Sequence, residues 1–213
     1  MLVSDLVVRF SKARTSGYKK SEESRRQVLD AAIAVLAKKG VGNTSVQDIA
    51  DAAGLSKGAV HYHFESKEEL LERVLDRCCE VVEARIRAVF EQDGLPVERI
   101  HRALAEMWVI RRDGVKEMRV LTELHMLSRQ NKRIRKACGE ALQRACRQMI
   151  DPGLEHLLAM GLKPRVPVDI IPRLVIATLD GLALQQEIDP VPPETEASLL
   201  RALESTTMGL FEL

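Results

Sequence analysis

An all-α fold is predicted by three observations. Apolar residues recur every three or four positions along nearly the whole chain, the spacing of one buried helix face. Aromatic residues are only 3% of the 213, and the alternating Val-, Ile- and Thr-rich runs that mark strands are missing. Gly and Pro breaks fall at helix-length intervals, at Gly40, Gly54, Asp93-Gly94-Leu95-Pro96, Asp113-Gly114 and from Gly161 to Pro167. With 46% hydrophobic residues the chain can bury a sizeable core, as one large or two modest domains. The expected arrangement is a basic, flexible N-terminal arm (1–20), a three-helix domain (21–65) and a larger C-terminal helical bundle (66–213). There is no internal repeat and no low-complexity tract.

The elements follow in order. Residues 24–39 place Val28, Leu29, Ala32, Ile33 and Leu36 on one stripe and stop at Gly40. Ser45 and Asp48 fit a capping box, so the next helix starts at about residue 46, with Val46, Ile49, Ala50 and Ala53 facing a core. Gly54 ends it, because glycine reaches the left-handed conformation without a Cβ clash. Ser56 caps a third helix, in which Val60 and Phe64 turn inward. Ser66 with Glu69 opens a long helix over 66–92, its apolar side carrying Leu70, Leu71, Val74, Leu75, Cys78, Val82, Ile86 and Val89. Pro96 suits the first turn of the helix reaching about Arg112. Further helices are expected over 115–129 and 132–160, the second interrupted at or near Asp151-Pro152-Gly153. Gly161 to Pro167 reads as a loop. Residues 168–187 are almost wholly apolar for four turns despite Pro172, and 194–211 close the chain with Leu199, Leu200, Leu203 and Leu210.

Residues 45–64, SVQDIADAAGLSKGAVHYHF, carry the functional signal. Two short helices joined by a Gly-Leu-Ser turn form a helix-turn-helix, whose second helix lies in the major groove of DNA. The side chains on and beside that helix have the right chemistry. Thr44 and Ser45 stand at a helix start, where hydroxyls and free N–H groups bind phosphate, although capping alone also accounts for Ser45. Lys57 is a charged donor at the front of the recognition helix. Gly58 and Ala59 are small enough to let the backbone approach the groove, and Ala59 can touch a thymine methyl. His61, Tyr62 and His63 are donors to phosphate or base edges, with packing against the preceding helix the other use of Tyr62 and His63. Lys67 opens the long helix, where its charge and the helix end suit a phosphate.

Charge is distributed accordingly. Residues 1–65 hold ten Lys or Arg against seven Asp or Glu, a net +3, while 66–213 carry −2. Arg9, Lys12, Arg14, Lys19 and Lys20 of the opening segment contribute to this footprint for a phosphate backbone.

Together, residues 25–71 closely resemble the DNA-binding domain of the TetR family of one-component bacterial repressors. The resemblance rests on Thr44-Ser45-Val46, Asp48-Ile49-Ala50, Ala53-Gly54-Leu55-Ser56-Lys57-Gly58, then Tyr62, Phe64, and Lys67 ahead of Leu70-Leu71. His61 departs from it, since many members carry Tyr there; an imidazole still donates, with a charge responsive to pH near neutrality. The resemblance implies a regulator, in most relatives a repressor, that binds a palindromic operator in double-stranded DNA as a homodimer. It also implies release by a small-molecule effector held in the C-terminal bundle. The nearly all-apolar helix near 170–184 must be covered on several sides. Within one subunit it would be a central core helix. The resemblance favours pairing with a second copy, together with 194–211.

For the effector site, Trp108, Arg111, Met118, His125, Met126 and Met149 lie in the expected bundle helices, as does Met107, though a Met or Trp at helical spacing also serves as ordinary core. The basic density of Arg111, Arg112, Lys116 and Arg119, then Arg129, Lys132, Arg133, Arg135 and Lys136, reads as solvated faces. Were several to converge on a cavity mouth, an anionic effector would follow.

Other classes find less support. No Ser-His-Asp order, phosphate loop, metal pattern or Glu-x-x-His pair points to an enzyme, and no cofactor is expected. His61 and His63, two apart on a helix, point about 200° away from each other. Cys78, Cys79, Cys138 and Cys146 lack metal-ligand spacing, and the adjacent pair reads as one core and one peripheral thiol. No apolar run is long enough for a membrane span, and the first residues lack a signal-peptide pattern, so a reduced, cytoplasmic setting is expected. A non-specific architectural DNA-binding protein remains the alternative to a regulator, and a helical-bundle enzyme is a more distant one.

Overall fold

The structure, a computed structural model, describes the backbone of residues 4–212 and the side chains of 21–212, those of Pro96 and residues 149–153 excepted. The basic side chains of the opening segment, and that of Met149, lie outside the described residues. The elements are α1 (Ser4–Lys39), α2 (Val46–Ala53), α3 (Lys57–His63), α4 (Lys67–Phe90), α5 (Pro96–Arg112), α6 (Lys116–Leu127), α7 (Lys132–Ala159), β1 (Lys163–Pro164), α8 (Ile170–Ile188), α9 (Pro193–Met208) and β2 (Phe211–Glu212). The fold is all-α apart from one two-residue antiparallel ladder that pairs Lys163 with Glu212 and Pro164 with Phe211. That ladder was not expected from the sequence; two residues are too few to show an alternating pattern. α1 extends the helix expected over 24–39 back to Ser4, through the segment read as an arm.

The chain divides into two compact units, Met1–Val74 and Leu75–Leu213. The division falls within α4, because Leu70, Leu71 and Val74 of its first turns are buried in the smaller unit. The core of that unit is made by Val28, Ala32, Ile33 and Leu36 of α1, Ile49, Ala50 and Ala53 of α2, and Val60 and Phe64 of α3. Burial of each Val, Leu, Ile or Phe among them contributes roughly 1.5–3 kcal/mol before chain entropy is counted.

The helix ends behave as local chemistry requires. Ser45 accepts from the Asp48 N–H, and the Asp48 carboxylate accepts from the Ser45 N–H at 2.8 Å, closing the capping box. Gly54, at φ 66°, ends α2 with Gly54 N–H donating to Asp51 O and Leu55 N–H to Ala50 O. Ser56 caps α3 through Ala59 N–H, and Ser66 accepts from Glu69 N–H at 3.1 Å. The Glu69 carboxylate takes the N–H of Glu65, one residue ahead of the expected cap.

The larger unit packs α4 to α9 around Cys78, Val82, Ile86, Met107, Trp108, Ile110, Leu124, Ile134 and Leu179. Cross-helix ion pairs tie its elements: Arg85 to Glu106 at 2.6 Å, Arg144 to Asp76 at 2.6 Å and Arg111 to Asp180 at 2.6 Å. α7 is one helix through Asp151-Pro152-Gly153, where an interruption was expected. A proline removes one backbone donor, and the turns on either side keep their own bonds. Pro172 sits in the first turn of α8, where a backbone N–H would have no helical partner, so the helix forms around it at little cost. Ile171, Pro172, Val175, Ile176 and Leu179 bury one face of α8. The other face carries Ile170, Leu174, Leu184 and Ile188, 41–75% exposed, in line with Ala177 and Gly181. All four cysteines are free thiols, Cys78 and Cys138 buried, Cys79 and Cys146 partly so.

Candidate nucleic-acid interface

α3 is a seven-residue helix whose two faces divide sharply. Lys57, Gly58, His61 and Tyr62 are exposed, and at about 100° per residue they occupy an arc of roughly 140°. Val60 is buried and Ala59 and His63 are half-buried on the remaining arc. Tyr62 is 79% exposed, so its phenol faces away from the core and leaves no packing role against α2. Such a face offers an ammonium, an imidazole and a phenol around a glycine, which suits a groove lined with phosphates and base edges.

The other expected contacts are placed differently. Thr44 is 2% exposed and donates its hydroxyl to Gly40 O at 2.7 Å. Ser45 is exposed, but its hydroxyl donates to Asp48 at 2.6 Å and accepts from the Asp48 N–H. Lys67 is part-buried and donates to the carbonyls of Val41 and Thr44. His63 turns to α1, its Nε2 3.0 Å from Ser24 Oγ, and burial together with Arg25 holds its pKa below the usual histidine value. Arg25 in turn lies over the Phe64 ring, 5.6 Å from its centroid. These side chains set the position of α3 and its neighbours, while α3 itself presents the free donors. The Ser24–His63 contact, spanning 39 residues, had no local signal in the sequence.

A second feature lies wholly in the larger unit. Helices α4 to α8 converge on a pocket holding about 570 Å³ of empty space, its open mouth included. Arg111, Met118 and His125, three of the residues expected to meet an effector, line it. His125 keeps an exposed edge, and its imidazole is held below the usual pKa by burial, opposed by Asp180. Trp108 and Met126 are elsewhere: Trp108 is buried with Nε1 donating to Glu196 at 2.7 Å, and Met126 is 60% exposed. Glu83, Cys79 and Asp180 also line the pocket, and the sequence reading passed over them. Glu83 lies off the apolar stripe of α4, next to Val82, and nothing in the sequence set it apart. Of the nine residues in the two basic runs, Arg111 alone lines this pocket among the described residues. Arg112 is bound to Asp113 and Glu196, and Arg135 to the carbonyls of Ser128 and Arg129. A second cavity, apolar but for Thr207, lies between Ile100, Met107, Leu157 and Phe211. Among the described residues no group of three or more His, Cys, Asp or Glu is gathered as a metal site requires, and no helix is long and apolar enough to cross a membrane.

Residues 28–74 match the family described as bacterial regulatory proteins, tetR family. The HTH-type transcriptional regulator PksA of Bacillus subtilis is 31% identical over 170 residues, 80% of this chain and 82% of that protein. The chain belongs to the TetR family. It is thereby placed among DNA-binding transcriptional regulators built from a helix-turn-helix domain and a helical bundle. The transcriptional repressor KstR2 of Mycobacterium tuberculosis is 37% identical over 76 residues, 36% of this chain and 38% of that one. A solved structure of a TetR-family regulator from Rhodococcus sp. shares the fold, with a TM-score of 0.76 at 20% identity over 90% of this chain and 100% of that one. The 170 residues matched by PksA reach well beyond the helix-turn-helix domain.

Proposed function

We propose that this TetR-family protein represses transcription by binding a palindromic operator as a homodimer and is released by a small molecule bound in the α4–α8 pocket. The observation that carries the reading is the exposed face of α3, where Lys57, Gly58, His61 and Tyr62 stand together while their neighbours secure the helix from behind. Lys57 and Tyr62 contact phosphate, Gly58 lets the backbone approach, and His61 reaches a base edge or phosphate. Ala59, half-buried, contacts the groove wall. Ser45 contributes through the helix start, and Thr44, His63 and Lys67 act by positioning.

Dimerisation is supported by the exposed apolar face of α8. Ile170, Leu174, Leu184 and Ile188 form a continuous stripe across five turns, more apolar surface than an isolated subunit keeps on one helix. A two-fold pair covers it and presents two recognition helices one DNA turn apart. Release follows if the effector binds a conformation of the bundle that sets a different spacing, and α4, continuous from one unit into the other, gives that change a covalent route.

Selection from a random duplex library tests the reading. A two-fold symmetric consensus with half-sites about ten base pairs apart or a multiple of that is expected. Recovery of duplexes with no common sequence would favour an architectural binder instead.

A further inference from the structure

The α4–α8 pocket carries charge in an arrangement that selects its occupant. Arg111 is the obvious anion receptor, with a side chain only 6% exposed, but its charge is balanced by Asp180. Its Nε donates to Asp180 at 2.6 Å and one terminal nitrogen to Met107 O at 3.0 Å. The imidazole of His125 is biased toward its neutral form. Burial and the neighbouring Glu83 push the Cys79 thiol up to about 12, so it stays protonated. That leaves Glu83. Its Oε1 is buried and has no hydrogen-bond partner, and burial raises the carboxyl pKa even though Arg144 and Arg87 oppose the shift. Arg144 is committed to Asp76 at 2.6 Å. A buried acceptor without a donor is costly, and a small turn of the carboxyl toward a ligand that supplies the donor recovers that cost. The rest of the lining is apolar: Val82, Met118, Leu121, Ala141, Ala145 and Ile176.

We infer that the pocket takes a largely apolar molecule bearing a hydrogen-bond-donating head, amine or hydroxyl, that the Glu83 carboxyl receives. This deepens the proposed function, since it names the chemistry of the effector for the same pocket. Arg111 and Asp180 balance each other, and a cationic amine stabilises the charged form of the Glu83 carboxyl that burial disfavours, so an amine is favoured over a neutral hydroxyl and a carboxylate is disfavoured. It also replaces the anionic effector that the basic runs would have suggested, because those side chains are spent on other partners or lie off the lining.

Three probes with one apolar body separate the cases: 4-butylbenzylamine, 4-butylbenzyl alcohol and 4-butylbenzoate. Binding is read by calorimetry and by methyl NMR shifts of Met118 and Ile176 on the full chain without DNA. The expected order is amine, then alcohol, with benzoate at least tenfold weaker than the amine. Glu83→Gln keeps an acceptor oxygen and removes the charge, so it should cost the amine its lead and spare the alcohol. Glu83→Ala should weaken both, and circular dichroism checks that each variant is folded. Benzoate binding as tightly as the amine, no binding by either donor, or an amine affinity unchanged in Glu83→Gln would each overturn the inference. Operator binding is measured separately. Probes that bind a protein with no operator preference would leave this inference standing and reject the regulatory reading.

Discussion

The Nζ of Lys67 lies 2.6 Å from the carbonyl oxygen of Thr44 and 3.2 Å from that of Val41. The first residue of α4 thereby holds the turn between α1 and α2, which sets where α2 begins and so where α3 is presented. Hydrogen bonds from a charged donor to buried carbonyls are worth about 1.5–3 kcal/mol. Lys67→Met should therefore lower the melting temperature clearly. A lysine spent this way releases no counterion, so the slope of log affinity against log salt should be unchanged. A slope reduced by about one would make Lys67 a phosphate contact instead.

Lys57→Ala and Tyr62→Ala should show the converse pattern. Both side chains are exposed, so stability should stay within about 0.5 kcal/mol of the parent by chemical denaturation. Operator affinity should fall for each, and Lys57→Ala should reduce the salt slope by about one unit per half-site.

Gly54 occupies the left-handed region at φ 66°, with open space where a Cβ would stand. Gly54→Ala should destabilise by about 1–2 kcal/mol through backbone strain alone. Gly54→Asn should cost less, since Asn tolerates that region. Equal losses for the two in thermal melts would mean that side-chain packing, not backbone conformation, governs this turn.

His63 gives the smaller unit a pH dependence of definite sign. Its pKa in the fold lies below the ordinary value, so the unfolded chain takes up the proton first as pH falls. Stability is then full above about pH 6.5 and declines as pH drops toward the folded value. His125 shifts in the same direction, so the useful quantity is the difference between the parent and His63→Gln. That difference should shrink between pH 7.5 and 5.5, because only the parent retains the proton-sensitive ring at position 63.

Leu184→Glu with Ile188→Glu should convert a dimer to a folded monomer in light scattering, with operator affinity falling by orders of magnitude. Persistence of the dimer would place the two-fold contact on another face.

The legible parts of this chain are those encoded within a few residues. The Ser45, Ser56 and Ser66 caps, the Gly54 stop and the stripe of Val28, Ala32, Ile33 and Leu36 each declare themselves locally. Contacts across 23 to 39 residues do not. Lys67 and His63 read as candidate DNA contacts in sequence because nothing nearby shows the carbonyls or the hydroxyl they bond to. The pocket was half legible for a related reason. Met118 and His125 are seven residues apart on one face of α6, while Met126 is turned about 100° from His125 toward solvent. Which face of α6 or α4 meets a cavity depends on the neighbouring helices, so Glu83 passed as an ordinary helical acid.

Sequence-specific binding through α3 is tested most directly by one competition experiment. A labelled duplex of the region upstream of the protein's own coding sequence is titrated at physiological salt, against scrambled competitor, with the parent and with Lys57→Ala/Tyr62→Ala. Saturable, competitor-resistant binding by the parent that the variant loses is the predicted result. Equal binding to the upstream and scrambled duplexes, or an unchanged affinity in a folded variant, would contradict it.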